Sequence, residues 1–83
     1  MEEFKWLLTA EAAKAIDQLS KRERVQLFLI FDHIARFPHV SGMEVGGQGR
    51  KRPAFHNVFG RWTITWWVDF PVKEIHILDI EKR

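Results

Sequence analysis

Seven side chains in this 83-residue chain carry chemistry suited to a phosphodiester: Arg50, Lys51, Arg52, His56, Arg61, His76 and Arg83. Cleaving RNA without a metal needs a base for the 2′-hydroxyl, an acid for the leaving 5′-oxygen, and cations on the phosphate as charge builds. Histidine exchanges protons near neutral pH, while Lys and Arg supply lasting positive charge. His56 lies just beyond the consecutive cations Arg50, Lys51 and Arg52, and Arg61 and Arg83 follow in the same half of the chain. Each has a plainer reading beside the catalytic one. His56 suits a half-exposed strand, and the basic triplet suits a solvated loop. His76 alternates with Leu78 and Ile80, a pattern of partial burial, so it carries no assignment.

Other chemistries have little to stand on. The absence of cysteine excludes a disulfide scaffold, a Cys-based zinc site and a thiol nucleophile. His33 and His39 on or just past a helix, with scattered carboxylates, make no metal site, and neither a metal nor another cofactor is expected. The GGQG run precedes a strand rather than a helix, so it is no phosphate loop. The only serines are Ser20 and Ser41, and Ser20 reads as a helix cap, which leaves no hydrolytic triad.

Positioning these groups falls to a single domain spanning 1–83, with 46% hydrophobic and 29% charged residues. The net charge of +2 is too small for a general polyanion binder, but its distribution is uneven. The first half is balanced, and the second holds the basic triplet, Arg61, Lys82 and Arg83, a footprint suited to a phosphate-bearing partner. The start, MEEFKW, is acidic where a signal peptide needs a positive segment. The apolar run Leu27–Phe31 is too short to span a membrane, so a cytoplasmic protein with no membrane partner is expected.

The spacing predicts a strand over Glu3–Leu8, with Phe4, Trp6 and Leu8 on one face. Thr9 then caps a helix in which Ala12, Ile16 and Leu19 share a stripe. Ser20 and Glu23 form a capping-box pattern opening a second helix to about Phe37, where Pro38 stops it. Its apolar stripe is Leu27, Phe28, Phe31, Ile34 and Ala35. Residues 38–53, rich in glycine, read as a loop. Three strands follow, Ala54–Phe59, Trp62–Phe70 and Lys73–Glu81, joined by turns at Gly60-Arg61 and Pro71-Val72. The expected fold is α+β in the order β-α-α-β-β-β, a helical hairpin packed on a small antiparallel sheet.

Alternation divides FGRWTITWWVDF into two faces. Trp62, Ile64, Trp66, Val68 and Phe70 form an apolar face that belongs against the helices. Arg61, Thr63, Thr65, Trp67 and Asp69 form the other, polar but for Trp67. That indole is either a cross-strand or partner contact or a platform for a nucleic-acid base.

In order and spacing the chain resembles the RelE/ParE toxin superfamily. The resemblance runs from the first strand through the AAKAIDQL and IARFP hairpin and the basic loop. It continues through the strand ending at Gly60 and the aromatic strand to the closing ILDIEKR. It implies the same β-α-α-β-β-β fold and the toxin role of a type II toxin–antitoxin system, with a cognate antitoxin as partner. RelE-like members are ribosome-dependent mRNA endoribonucleases, whereas ParE-like members poison DNA gyrase. The first reading takes His56, Arg61 and Arg83 as catalytic and Arg50, Lys51, Arg52 and Trp67 as RNA-binding, with mRNA and the ribosome as targets. The alternatives are a gyrase inhibitor and an inactive RelE-like binding protein. The family often carries two arginines before the turn glycine and Tyr-Arg after it, where this chain has His56, Val58 and Trp62-Thr63, and it has no tyrosine at all.

Overall fold

The computed structural model describes residues 4–38, 41–45 and 54–83. Their order is β1 (Lys5–Leu8), α1 (Ala10–Asp17), α2 (Lys21–Arg36), β2 (Met43–Glu44), β3 (Ala54–Phe59), β4 (Trp62–Asp69) and β5 (Glu74–Lys82). Both helices start where the caps predict. Thr9 Oγ1 accepts the Ala12 N–H, and the Ser20 hydroxyl and Glu23 carboxylate each accept the other residue's backbone N–H. These bonds satisfy amides that the first helical turn leaves orphaned.

Both helices cover one face of a five-stranded sheet ordered β1-β5-β4-β3-β2. The meander β3–β4–β5 is antiparallel, as expected. Two features differ from the expected sheet. β1 lies parallel to β5, anchored by Lys5 N–H to the Lys73 carbonyl and Thr9 N–H to that of Ile77. A parallel partner needs a long excursion of chain between the two strands, which the helical hairpin and meander provide. The segment expected as loop also contributes β2, an edge strand paired antiparallel with β3.

The core lies between this sheet face and the helices. Ala12 and Ile16 of α1 and Leu27, Phe31, Ile34 and Ala35 of α2 meet Phe55, Trp62, Ile64, Trp66, Val68, Ile75, Ile77 and Ile80. The set Ile75, Ile77 and Ile80 cannot share one face of a regular strand, whose side chains alternate. A bulge resolves the conflict. Thr65 pairs with Asp79 and Trp66 with Ile77, so Leu78 is the extra residue and the phase shifts after it. His76 therefore points away from Ile75 and Ile77, opposite to the phase that grouped it with Ile80.

Two glycines are fixed by geometry. Gly60 has φ +64 at the first position of the two-residue β3–β4 turn, a conformation that costs side-chain-bearing residues energy. A Cβ on Gly42 would lie 2.5 Å from the Trp66 ring and 2.8 Å from the His56 carbonyl oxygen. Gly42 is thus the gap that lets the segment before β2 close over Trp66. Asn57 donates to the Ser41 carbonyl at 2.6 Å and holds that segment to β3.

The sheet is also tied to α2 through charge. Lys82 Nζ sits 2.6 Å from Glu23 Oε2. That hydrogen bond, with the Ser20 N–H, lowers the Glu23 carboxyl from 4.5 to about 2. A depressed carboxyl contributes stability above its unfolded pKa and loses it as pH falls towards the folded one. The denaturation midpoint of wild type should therefore exceed that of Lys82→Met by a constant margin above pH 4.5, a margin that shrinks between pH 4.5 and 2. Urea titrations of both proteins across that range check it. A margin that survives unchanged at pH 2 would show that the pair is not its source.

Candidate nucleic-acid interface

The sheet face turned away from the helices is assembled by register alone. β4 places Thr63, Thr65, Trp67 and Asp69 there, alternating with buried Trp62, Ile64, Trp66 and Val68. Opposite them β3 brings Val58 to Thr63, His56 to Thr65 and Ala54 to Trp67. β5 adds His76 beside Trp67, Glu74 beside Asp69 and Asp79 beside Thr65. At the edge Lys5 of β1 stands level with Glu74. This is a mixed polar surface with one large aromatic at its centre.

Trp67 does not stand alone. Its ring lies parallel to the His76 imidazole, with centroids 3.9 Å apart and an interplanar angle of 4°. His76 Nε2 is 3.2 Å from Glu74 Oε1. The Trp67 indole is therefore half-buried, with an imidazole over one side. An ionised carboxylate only accepts hydrogen bonds, so Nε2 is the donor in this contact, and in the neutral tautomer that makes it Nδ1 carries the lone pair. Stack and hydrogen bond together fix the orientation of His76.

The remaining assigned residues fall into separate groups. His56 is exposed at mid-strand in β3, between Thr65 of β4 and Met43 of β2. Arg61 occupies the β3–β4 turn, and its carbonyl accepts the Arg83 N–H at 2.6 Å, so these two arginines meet at one corner of the sheet. That corner is not beside His56, since Arg61 lies four residues along β4 from Thr65, about 13 Å at strand rise. Arg50, Lys51 and Arg52 lie outside the described residues. In sequence Arg52 precedes by two positions Ala54, the register partner of Trp67.

Sequence reasoning named His76 among the candidates but gave it no role, and it did not single out Glu74. The available signal was the spacing Ile75, Ile77, Ile80, which cannot be a plain alternation and demands a bulge. Once the bulge is placed, His76 must share the face of Trp67. Among the described residues no cluster of three or more His, Asp or Glu could hold a metal ion. No helix among them is long and apolar enough to cross a membrane. The groups on this face could serve proton transfer by imidazole and stacking on an indole.

No protein-family model matches the chain, and no curated protein matches it. Solved structures do match. The chain superposes on the RelBE2 toxin–antitoxin complex of Mycobacterium tuberculosis with a TM-score of 0.84 at 18% identity, covering 100% of this chain and 94% of that one. For the archaeal RelE–RelB complex of Pyrococcus horikoshii the TM-score is 0.79 at 17% identity, over 99% and 97% of the two chains. For the intact RelBE toxin–antitoxin complex of E. coli it is 0.76 at 12% identity, over 96% of each. The helical hairpin on a mixed five-stranded sheet is the RelE toxin fold, present from end to end.

Proposed function

We propose that this chain is the toxin of a type II toxin–antitoxin pair and cleaves mRNA on the ribosome. The observation that carries the toxin role is the end-to-end match to RelE chains from complexes with their antitoxins. A cognate antitoxin is accordingly the expected protein partner. Nuclease action is supported by the open sheet face, where His56, His76 and Trp67 combine acid–base groups with a stacking surface. Arg61 and Arg83 supply positive charge at one corner, and Arg50, Lys51 and Arg52 precede β3 in sequence.

Expression of the chain without a partner should arrest growth and produce new transcript ends within translated frames. Intact transcripts with normal growth would end the proposal. A ParE-like action on DNA gyrase is the second reading, and one observation favours it. Val58 and Thr63 are directly opposed on the open face, uncharged where RelE-like members often carry arginine. Growth arrest with intact mRNA and inhibited supercoiling by purified gyrase would select that reading.

A further inference from the structure

We propose that the open sheet face is a two-imidazole acid–base site, with His76 as the base and His56 as the acid. The inference rests on the nuclease reading and names the groups that move its protons. His76 and His56 lie on one face, on the two strands flanking β4, with Thr65 and Trp67 between them. Two strand spacings across and two residues along put their Cα atoms about 12 Å apart. Side chains reaching inward from both leave room for one nucleotide linkage over Thr65.

The two rings differ in how they are held. His76 is stacked on Trp67 with Nε2 3.2 Å from Glu74 Oε1, and the neutral tautomer that donates there leaves Nδ1 as the acceptor. His56 is exposed on its strand. A pre-oriented imidazole held by a carboxylate suits the proton-abstracting role, as in the histidine–carboxylate pairs of hydrolytic sites. The groups around the two rings suit proton transfer, while the described cations that could steady a phosphate lie at the sheet's edge and corner. Carboxylates Asp69, Glu74 and Asp79 share this face with Lys5, whereas Arg61 lies six residues along β4 from Trp67, about 20 Å away.

The step balances without a further reactant. His76 Nδ1 takes the 2′-hydroxyl proton, and the 2′-oxygen attacks phosphorus. The P–O5′ bond breaks, and the proton of a His56 imidazolium passes to the departing 5′-oxygen. The products are a 2′,3′-cyclic phosphate and a 5′-hydroxyl. His76 is left protonated and His56 neutral, and both reset by exchange with water.

The test uses the purified chain, ribosomes programmed with a synthetic mRNA, and the same mRNA carrying sulfur in place of the bridging 5′-oxygen at the mapped cut. A thiolate leaves without an acid, so the sulfur substrate needs only the base. His76→Gln and His56→Gln should each slow cutting of the oxygen mRNA by roughly 10²–10³-fold. The sulfur mRNA should restore His56→Gln to near the wild-type rate and leave His76→Gln slow. Glu74→Gln retains the ring pair and should lose roughly tenfold on both substrates, a readout that holds even if His76→Gln folds poorly. Wild-type cutting of the oxygen mRNA by His76→Gln, or its rescue by sulfur, overturns the inference while the nuclease reading stands. Wild-type protein that cuts neither mRNA overturns both.

Discussion

Replacing Trp66 by alanine is expected to cost about 4 kcal/mol of folding stability, the range for truncating a fully buried tryptophan. Trp66 has no exposed surface and is the largest fully buried side chain of the core. It stacks on Phe55 at 6.0 Å between centroids, touches Phe59 at 6.4 Å, and fills the space that Gly42 leaves open. A domain of this length has roughly 4–12 kcal/mol in total, so the loss takes a third or more of it. The thermal midpoint should fall by about 15–30 °C, readable by far-ultraviolet circular dichroism.

Phenylalanine at the same position separates volume from polarity. The Trp66 indole N–H is buried without a hydrogen-bond partner. Such a group is held out of water at a cost of about 1–3 kcal/mol. Trp66→Phe removes that cost together with part of the ring, so it should lose well under half of what alanine loses. Equal losses for the two variants would overturn this expectation.

Most of this core was legible in the chain itself, because its determinants are local. Thr9 and the Ser20–Glu23 box marked both helix starts, and strict alternation sorted Trp62, Ile64, Trp66 and Val68 from Thr63, Thr65 and Trp67. What escaped notice depends on contacts distant in sequence. Nothing within KWLL declares whether β1 pairs parallel or antiparallel, since that depends on where β5 lies after the meander. β2 is two residues long and exists through pairing with β3, so its own sequence shows no strand period. The bulge at Leu78 shifted the phase of β5 and left His76 grouped with the wrong neighbours. That one-residue slip hid the chemically richest pair on the open face.

The question first raised by Trp67, contact or platform, becomes measurable because the two roles predict opposite balances of effect. As a cross-strand contact it contributes mainly to stability, about 1 kcal/mol for a stacked aromatic pair. As part of a substrate surface it contributes about 1–3 kcal/mol to holding a base, roughly 5–150-fold in binding. The fold sets an upper bound on the first contribution. β4 lies between β3 and β5 and keeps Trp66 and Val68 buried whatever occupies position 67. Trp67→Ala should therefore remain folded and lose about 1 kcal/mol, and, on the proposed nuclease reading, cut programmed mRNA roughly 30-fold more slowly if the indole holds a base. It also releases the His76 ring from its stack, so loss of orientation adds to loss of stacking. Trp67→Phe keeps a flat surface under His76 and should recover most of the rate. Denaturation curves and single-turnover cleavage of the three proteins decide the matter. A Trp67→Ala protein that cleaves like wild type would reduce this residue to sheet packing and move any base-holding role elsewhere on the face.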